Sequence, residues 1–227
     1  MPRVARGLAD GQDYHVLNRG NGRQNVFHKE GDFQAFLDLL GEARKRYGIK
    51  LFAYCLMSNH FHLLLQTTKG ADLCRCMQWL MTSHVRRYHR HYGTSGHVWQ
   101  GRFKSFIVQQ DGHLLTVARY IESNPVRAKM VDSAADWPWS SYHQHAGTGS
   151  EQSDVPLAID PLPVEFTDDW SAFANRSFTD SEKASLRQSL TRQSPFGSGR
   201  WQQSVCRQFG LESTVRPRGR PRMGAEK

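Results

Sequence analysis

Two apolar runs, Lys50 to Leu56 and His60 to Gln66, meet at Ser58-Asn59, a polar pair suited to a tight turn. A hairpin alone is marginal in water, so the flanking segments must complete a sheet around it. His15 to Arg19 reads as a first strand, ended by Gly20-Asn21-Gly22. Asp32 to Tyr47 carries Phe33, Phe36, Leu37 and Leu40 on one helical face and stops at Gly48. Ala71 to Tyr92 has helical length, with Leu73, Met77, Leu80 and Met81 inward and Arg75, Arg86, Arg87 and Arg90 largely outward. Lys104 to Val108 supplies a fourth strand. Gly112 to Ser123 reads as a helix that Asn124-Pro125 should end, because a residue before proline is steered out of the α region. The resulting βαββαβα order predicts a ferredoxin-like (RRM-like) α+β fold, an antiparallel sheet with packed helices.

The second run of the hairpin also carries chemistry. Residues two apart on a strand share a face, so His60 and His62 present two imidazoles together while Phe61, Leu63 and Leu65 face the other way. Two histidines so spaced are alone more often packing residues than ligands. Further along, His113, Val117, Tyr120 and Asn124 fall at helical spacing, which puts a phenol and an amide on one face. If that face packs over the strand, a metal site and a nucleophile meet. A phenol with pKa about 10 is mostly protonated at neutral pH and a phosphodiester is anionic, so attack needs charge neutralised and an oxygen held in line. A divalent cation does both. His60, His62 and Asn124 are neutral donors, which leave the ion its full charge and keep positions open. Imidazole alone would favour manganese or zinc over magnesium. His113 and His97 are spare candidates as ligand or proton shuttle, or plain surface residues.

Four stretches resemble the REP-associated tyrosine transposases, a branch of the single-tyrosine HUH transposases in the IS200-like superfamily. They are Tyr14-His15-Val16 with Arg19-Gly20-Asn21; Met57 through Leu64; Val98-Trp99-Gln100-Gly101-Arg102-Phe103-Lys104-Ser105; and Arg119 through Ala128. They run in order through the first two thirds of the chain. The resemblance implies an HUH endonuclease core in which His60 and His62 hold Mg2+ or Mn2+, Asn124 is the third ligand and Tyr120 is the nucleophile. Such an enzyme cleaves single-stranded DNA at repetitive extragenic palindrome-type hairpins. It leaves a 5′-phosphotyrosine and a free 3′-OH, and joins strands by reversal. The rival readings are a catalytically silent DNA-binding protein or repressor, and an RNA-binding module. The intact site residues argue against the first, and the second lacks the aromatic RNP pattern.

Composition agrees with a nucleic-acid partner. The chain has 227 residues, 38% of them hydrophobic and 11% aromatic, enough for one good core and a small appendage. Its formal charge of +9 favours an anionic partner, and no apolar run approaches a bilayer-spanning length. The charge is uneven. Residues 1–148 carry net +8, residues 149–185 net −6 and residues 186–227 net +7. The expected division is therefore a catalytic domain over 1–148, an acidic linker over 149–185 and a basic DNA-binding tail over 186–227. The acidic stretch is either a solvated linker or a cover for the basic surface.

In the tail, Arg216-Pro217-Arg218-Gly219-Arg220-Pro221-Arg222 looks like an AT-hook, whose Arg218, Gly219 and Arg220 would lie in a narrow minor groove; a basic tail on phosphates is the alternative. Arg19, Asn21 and Arg23 after the first strand are further DNA-contact candidates. So are Trp99, Arg102 and Lys104, where aromatics alternate with charge, although Trp99 and Phe103 read equally well as core. Cys55, Cys74, Cys76 and Cys206 form neither a disulfide framework nor a zinc ribbon, and no secretory signal is visible. The expected location is the cytoplasm, on the nucleoid when DNA is bound. Monomer and homodimer both remain open.

Overall fold

The computed structural model describes residues 7–148 and 157–216. Its first part follows the expected order: β1 (Asp13–Arg19), α1 (Glu30–Tyr47), β2 (Ile49–Met57), β3 (His60–Thr67), α2 (Gly70–Tyr92), β4 (Lys104–Val108) and α3 (Gly112–Glu122). The strands form one antiparallel sheet in the order β2-β3-β1-β4, so β1 is central and bonds to both β3 and β4. This is the ferredoxin-like arrangement, reached because each helix carries the chain back across the sheet between parallel, non-adjacent strands.

Alternation along the strands divides the core into two layers. Tyr14, Val16, Phe61, Leu63 and Leu65 face α1 and α2, where Phe36, Leu37, Leu40, Leu73, Met77 and Leu80 are buried. Burial of one such aromatic or aliphatic side chain contributes roughly 1.5–3 kcal/mol. Both helices end at glycines in the left-handed region, Gly48 (φ 61°) and Gly93 (φ 60°), where a side chain would be strained. On the opposite face, Cys55, Met57, Leu64, Phe106 and Val108 meet Leu114, Val117, Ala118 and Ile121 of α3. Asp111 caps α3 by accepting from the His113 amide.

α3 stops at Glu122 with Ser123 as its cap, as expected, but after this break Asn124-Pro125 opens a further turn, α4 (Asn124–Arg127), that the sequence reading did not foresee. Proline is tolerated there because an amide in the first turn of a helix has no intrahelical acceptor to lose. The Ser123 hydroxyl donates back to the Arg119 carbonyl at 2.7 Å, which secures the break.

The remaining helices are α5 (Tyr142–His145), α6 (Trp170–Asn175), α7 (Asp180–Arg192), α8 (Gly199–Phe209) and α9 (Glu212–Val215). The stretch whose composition suggested an acidic linker packs closely over its described residues. Trp170, Ala174 and Phe178 are buried against the α3 side of the sheet. Asp160 pairs with Arg44 and accepts from the Leu51 amide at 2.8 Å, and Glu182 pairs with the buried Arg119. Asp160 and Glu182 thus tie this stretch, the wrap, to α1 and α3. Beyond it, the Phe196 amide donates to the Ile107 carbonyl at 2.8 Å and the Gln109 amide to the Phe196 carbonyl at 2.9 Å, so the chain lies alongside β4. Val205, Cys206 and Leu211 then join the α1/α2 layer. Arg218, Gly219 and Arg220 lie outside the described residues. Cys55, Cys76 and Cys206 are free thiols. No helix among the described residues is long and apolar enough to cross a membrane.

Candidate active site

The sheet register brings the two histidines under α3. His60 opens β3 opposite Arg19 of β1, and His62 lies opposite Leu17 of β1 and Cys55 of β2. The His60 and His62 ring centroids are 5.2 Å apart, and the Tyr120 ring from α3 stands 5.9 Å from that of His62, nearly perpendicular to it. Asn124 sits one turn past Tyr120 and is within hydrogen-bonding reach of the His60 side chain. These four residues line one cavity of about 660 Å3. Arg19, Arg102 and Lys104 line it too, as do Asn18, Gln100, Arg127 and, from α7, Leu190. None of the described lining residues is acidic, so the cavity is built for an anion.

Burial keeps both imidazoles neutral. Desolvation, helped by the nearby positive charges of Arg19 and Arg127, lowers the pKa of His60 to about 4, while the Asn124 contact acts the other way. His62 is driven well below the ordinary histidine range by burial first, then by His15 and His60. Hydrogen bonds also bear on which nitrogen is free. His60 Nδ1 lies 2.6 Å from Asn59 Oδ1, which can only accept, so the proton sits on Nδ1 and the Nε2 lone pair is available. His62 Nδ1 lies 2.8 Å from Nε2 of His15, a buried residue stacked on it at 4.9 Å between ring centroids. If His15 accepts there, His62 Nε2 is likewise free to bind an ion.

The donor set of two neutral imidazoles and an amide oxygen therefore fits a divalent cation with open positions. Among the described residues no group of three or more His, Cys, Asp or Glu side chains could hold a metal, so this mixed set is the candidate.

Tyr120 is held from several sides. Arg119 beneath it is fully buried, paired with Glu182, with its guanidinium 4.1 Å from the Phe178 ring centroid. Arg127 lies over the Tyr120 ring at 3.7 Å and donates to the Tyr120 carbonyl at 2.6 Å and to the Ser123 hydroxyl at 2.8 Å. Glu122, also fully buried, accepts from Ser141, from His145 Nδ1 at 2.7 Å and from Trp170 Nε1 at 2.7 Å, which fastens α3 to α5 and α6.

A family model described as "Transposase IS200 like" matches residues 9–124, a span that contains His60, His62, Tyr120 and Asn124. The chain belongs to this family. Among relatives of the IS200-like transposase, a Haemophilus influenzae protein described as a REP-associated tyrosine transposase is 30% identical over 111 residues. That match covers 44% of this chain and 62% of the relative's length. A solved REP-associated tyrosine transposase, bound to a REP hairpin, superposes with a TM-score of 0.51 at 17% identity, covering 79% of this chain and 98% of that one. The shared fold thus reaches beyond residue 148 and takes in part of the wrap.

Other sequence candidates fall elsewhere. His113 bonds Asp111 Oδ1 at 2.7 Å and packs on Phe196, and it is not among the residues that line the cavity with Tyr120. His97 lines a different cavity. The Asn21 amide donates to the Val98 carbonyl, and Arg23 adopts a left-handed conformation (φ 64°) in the loop after β1; neither lines the cavity that holds His60, His62 and Tyr120. Trp99 is 5% exposed among Phe27, Phe36, Phe61 and His84, which leaves its faces to the core rather than to a stacked base. Sequence reasoning assigned no role to His15 or Arg127. His15 is legible only through the β1–β3 register, and Arg127 only once the break at Ser123 is known.

Proposed function

We propose that this chain is a REP-associated tyrosine transposase: a metal-dependent endonuclease and strand transferase for single-stranded DNA at palindromic hairpins, acting in the cytoplasm. The observation that carries this reading is the convergence of Tyr120, His60, His62 and Asn124 on one cavity rimmed by Arg19, Arg102, Lys104 and Arg127. Arg102 and Lys104 draw in the phosphodiester, and Arg19 balances its charge from the β1 side. Bound Mg2+ or Mn2+, held by His60, His62 and Asn124, would polarise the phosphate and fix one of its oxygens. The Tyr120 oxygen attacks phosphorus, the bond to the 3′ oxygen breaks, and the strand divides into a 5′-phosphotyrosine and a free 3′-OH. Arg127, stacked on the ring, holds the phenol in place and contributes positive charge where negative charge develops. Because the phosphotyrosine keeps the ester bond energy, a second 3′-OH can displace Tyr120 and join strands without ATP. The Arg218-Gly219-Arg220 segment would hold adjacent duplex.

Strand polarity tests the reading. On a synthetic palindromic DNA hairpin with single-stranded flanks, label placed 3′ of the cut should become attached to protein. The other fragment should be extended by a polymerase. Chelation should abolish both products, and cleavage at full rate in excess chelator, or a 5′ fragment attached to protein, would overturn it.

A further inference from the structure

A second cavity, of about 610 Å3, lies between α2 and the loop that precedes β4, and of the residues given a role at the first cavity only Arg102 is among its described lining. Its α2 wall is the stripe Met77, Met81 and Val85, and its loop wall includes Val98, Trp99 and Phe103. The volume falls within the roughly 300–1,000 Å3 typical of small-molecule sites, and methionine walls adapt to flat rings of different outline. Polar groups stand among the apolar ones. Gln78 and Thr82 offer an amide and a hydroxyl, and Arg86 and Arg102 are cationic; all four are exposed. The indole Nε1 of Trp99 is buried with no hydrogen-bond partner among the described residues. None of the described lining residues is acidic.

The cavity is continuous in chemistry with the catalytic one, because Arg102 lines both. The partition between them is fixed: the Asn18 side chain donates to the Gly101 carbonyl at 3.2 Å and toward Met81 Sδ at 3.5 Å, tying β1 to the loop and to α2. A strand held beside Tyr120 that continued past Arg102 would meet an apolar chamber with hydrogen-bonding groups on its α2 side. An apolar peptide would leave Arg86 and Arg102 unmatched, whereas a nucleotide offers a flat apolar ring, polar edges and a phosphate together.

We propose that this chamber takes one unpaired base of the single-stranded flank next to the cleaved phosphate, with Gln78 and Thr82 reading its edge. The proposal rests on the catalytic cavity being the single-stranded DNA site, and the test keeps the two apart by measuring binding in Tyr120→Phe protein, where cleavage plays no part. The probe is a synthetic palindromic DNA hairpin with unpaired flanks, carrying an abasic residue at one flank position at a time. At one position the missing base should weaken binding about tenfold, as for a lost base contact. Thr82→Trp, which fills the chamber, should weaken the intact probe by about the same factor and leave that abasic probe unchanged. Gln78→Ala should alter which base is preferred at that position, and serves alone if Thr82→Trp does not fold. Equal losses for intact and every abasic probe, with unchanged base preference in Gln78→Ala, would overturn the proposal. If the wild-type protein cleaves and this coupling is missing, only the chamber is refuted. If coupling appears but wild-type protein never cleaves, the catalytic reading fails and the chamber stands as a binding site.

Discussion

At the residue scale, the site depends on a partner that no motif spacing discloses. His15 faces His62 across 2.8 Å in the dry interior, and its other ring nitrogen has no partner among the described residues. That cost is tolerable if His15 fixes the orientation and tautomer of His62. His15→Phe keeps the ring against Phe106 and Tyr120 but removes the bond. Mn2+ affinity measured by calorimetry should fall roughly 10–100-fold while the protein stays folded. Unchanged affinity would mean that His15 is only a packing residue. His62 itself is 4% exposed, so its replacement also disturbs the core, and the half-buried His60 is the cleaner histidine to mutate.

At the element scale, α3 is held by what wraps over it. Arg119 reaches Glu182 and the Phe178 ring, and Glu122 accepts from Trp170, so the helix that carries Tyr120 is anchored by residues far along the chain. Trp170→Ala should cost about 3–5 kcal/mol in denaturant unfolding and open residues 157–216 to protease. A loss below ~0.5 kcal/mol, the value for an exposed position, would show that the wrap does not support the core. The strands, the first three helices and the Gly48 stop were legible because alternation and helical periodicity report burial directly. The wrap was not. Its apolar residues, Trp170, Phe173 and Phe178, are single aromatics among acids and prolines, so average composition imitates a linker while each ring fills a definite place. His60, His62 and Tyr120 were legible as a strand pair and a helix face, whereas Arg127 was hidden by the break at Ser123, which spacing alone does not reveal.

At the scale of the whole molecule, the basic tail splits in two. Residues 186–216 belong to the fold, since Phe196 lies alongside β4 and Leu211 is buried in the core. A cut near residue 195 would therefore damage the body, and the informative truncation removes only residues 217–227, which carry Arg218, Arg220, Arg222 and Lys227. That truncation should weaken binding to a hairpin with a duplex stem and reduce the slope of log affinity against log salt by about 2–4. Cleavage of a short unstructured strand should change little, because every residue assigned to the chemistry precedes residue 130. Equal slopes for the two proteins would remove the tail from the DNA contacts.

The central claim is that Tyr120 becomes covalently joined to DNA. Wild-type and Tyr120→Phe protein are incubated with Mn2+ and a labelled hairpin bearing its single-stranded flank, then run on a denaturing gel, with the adduct mapped by mass spectrometry. Wild-type protein should give a DNA adduct on the peptide that contains Tyr120, and Tyr120→Phe should give none while binding the hairpin with nearly the same affinity. An adduct that persists in Tyr120→Phe, or that maps to another residue, would contradict the account.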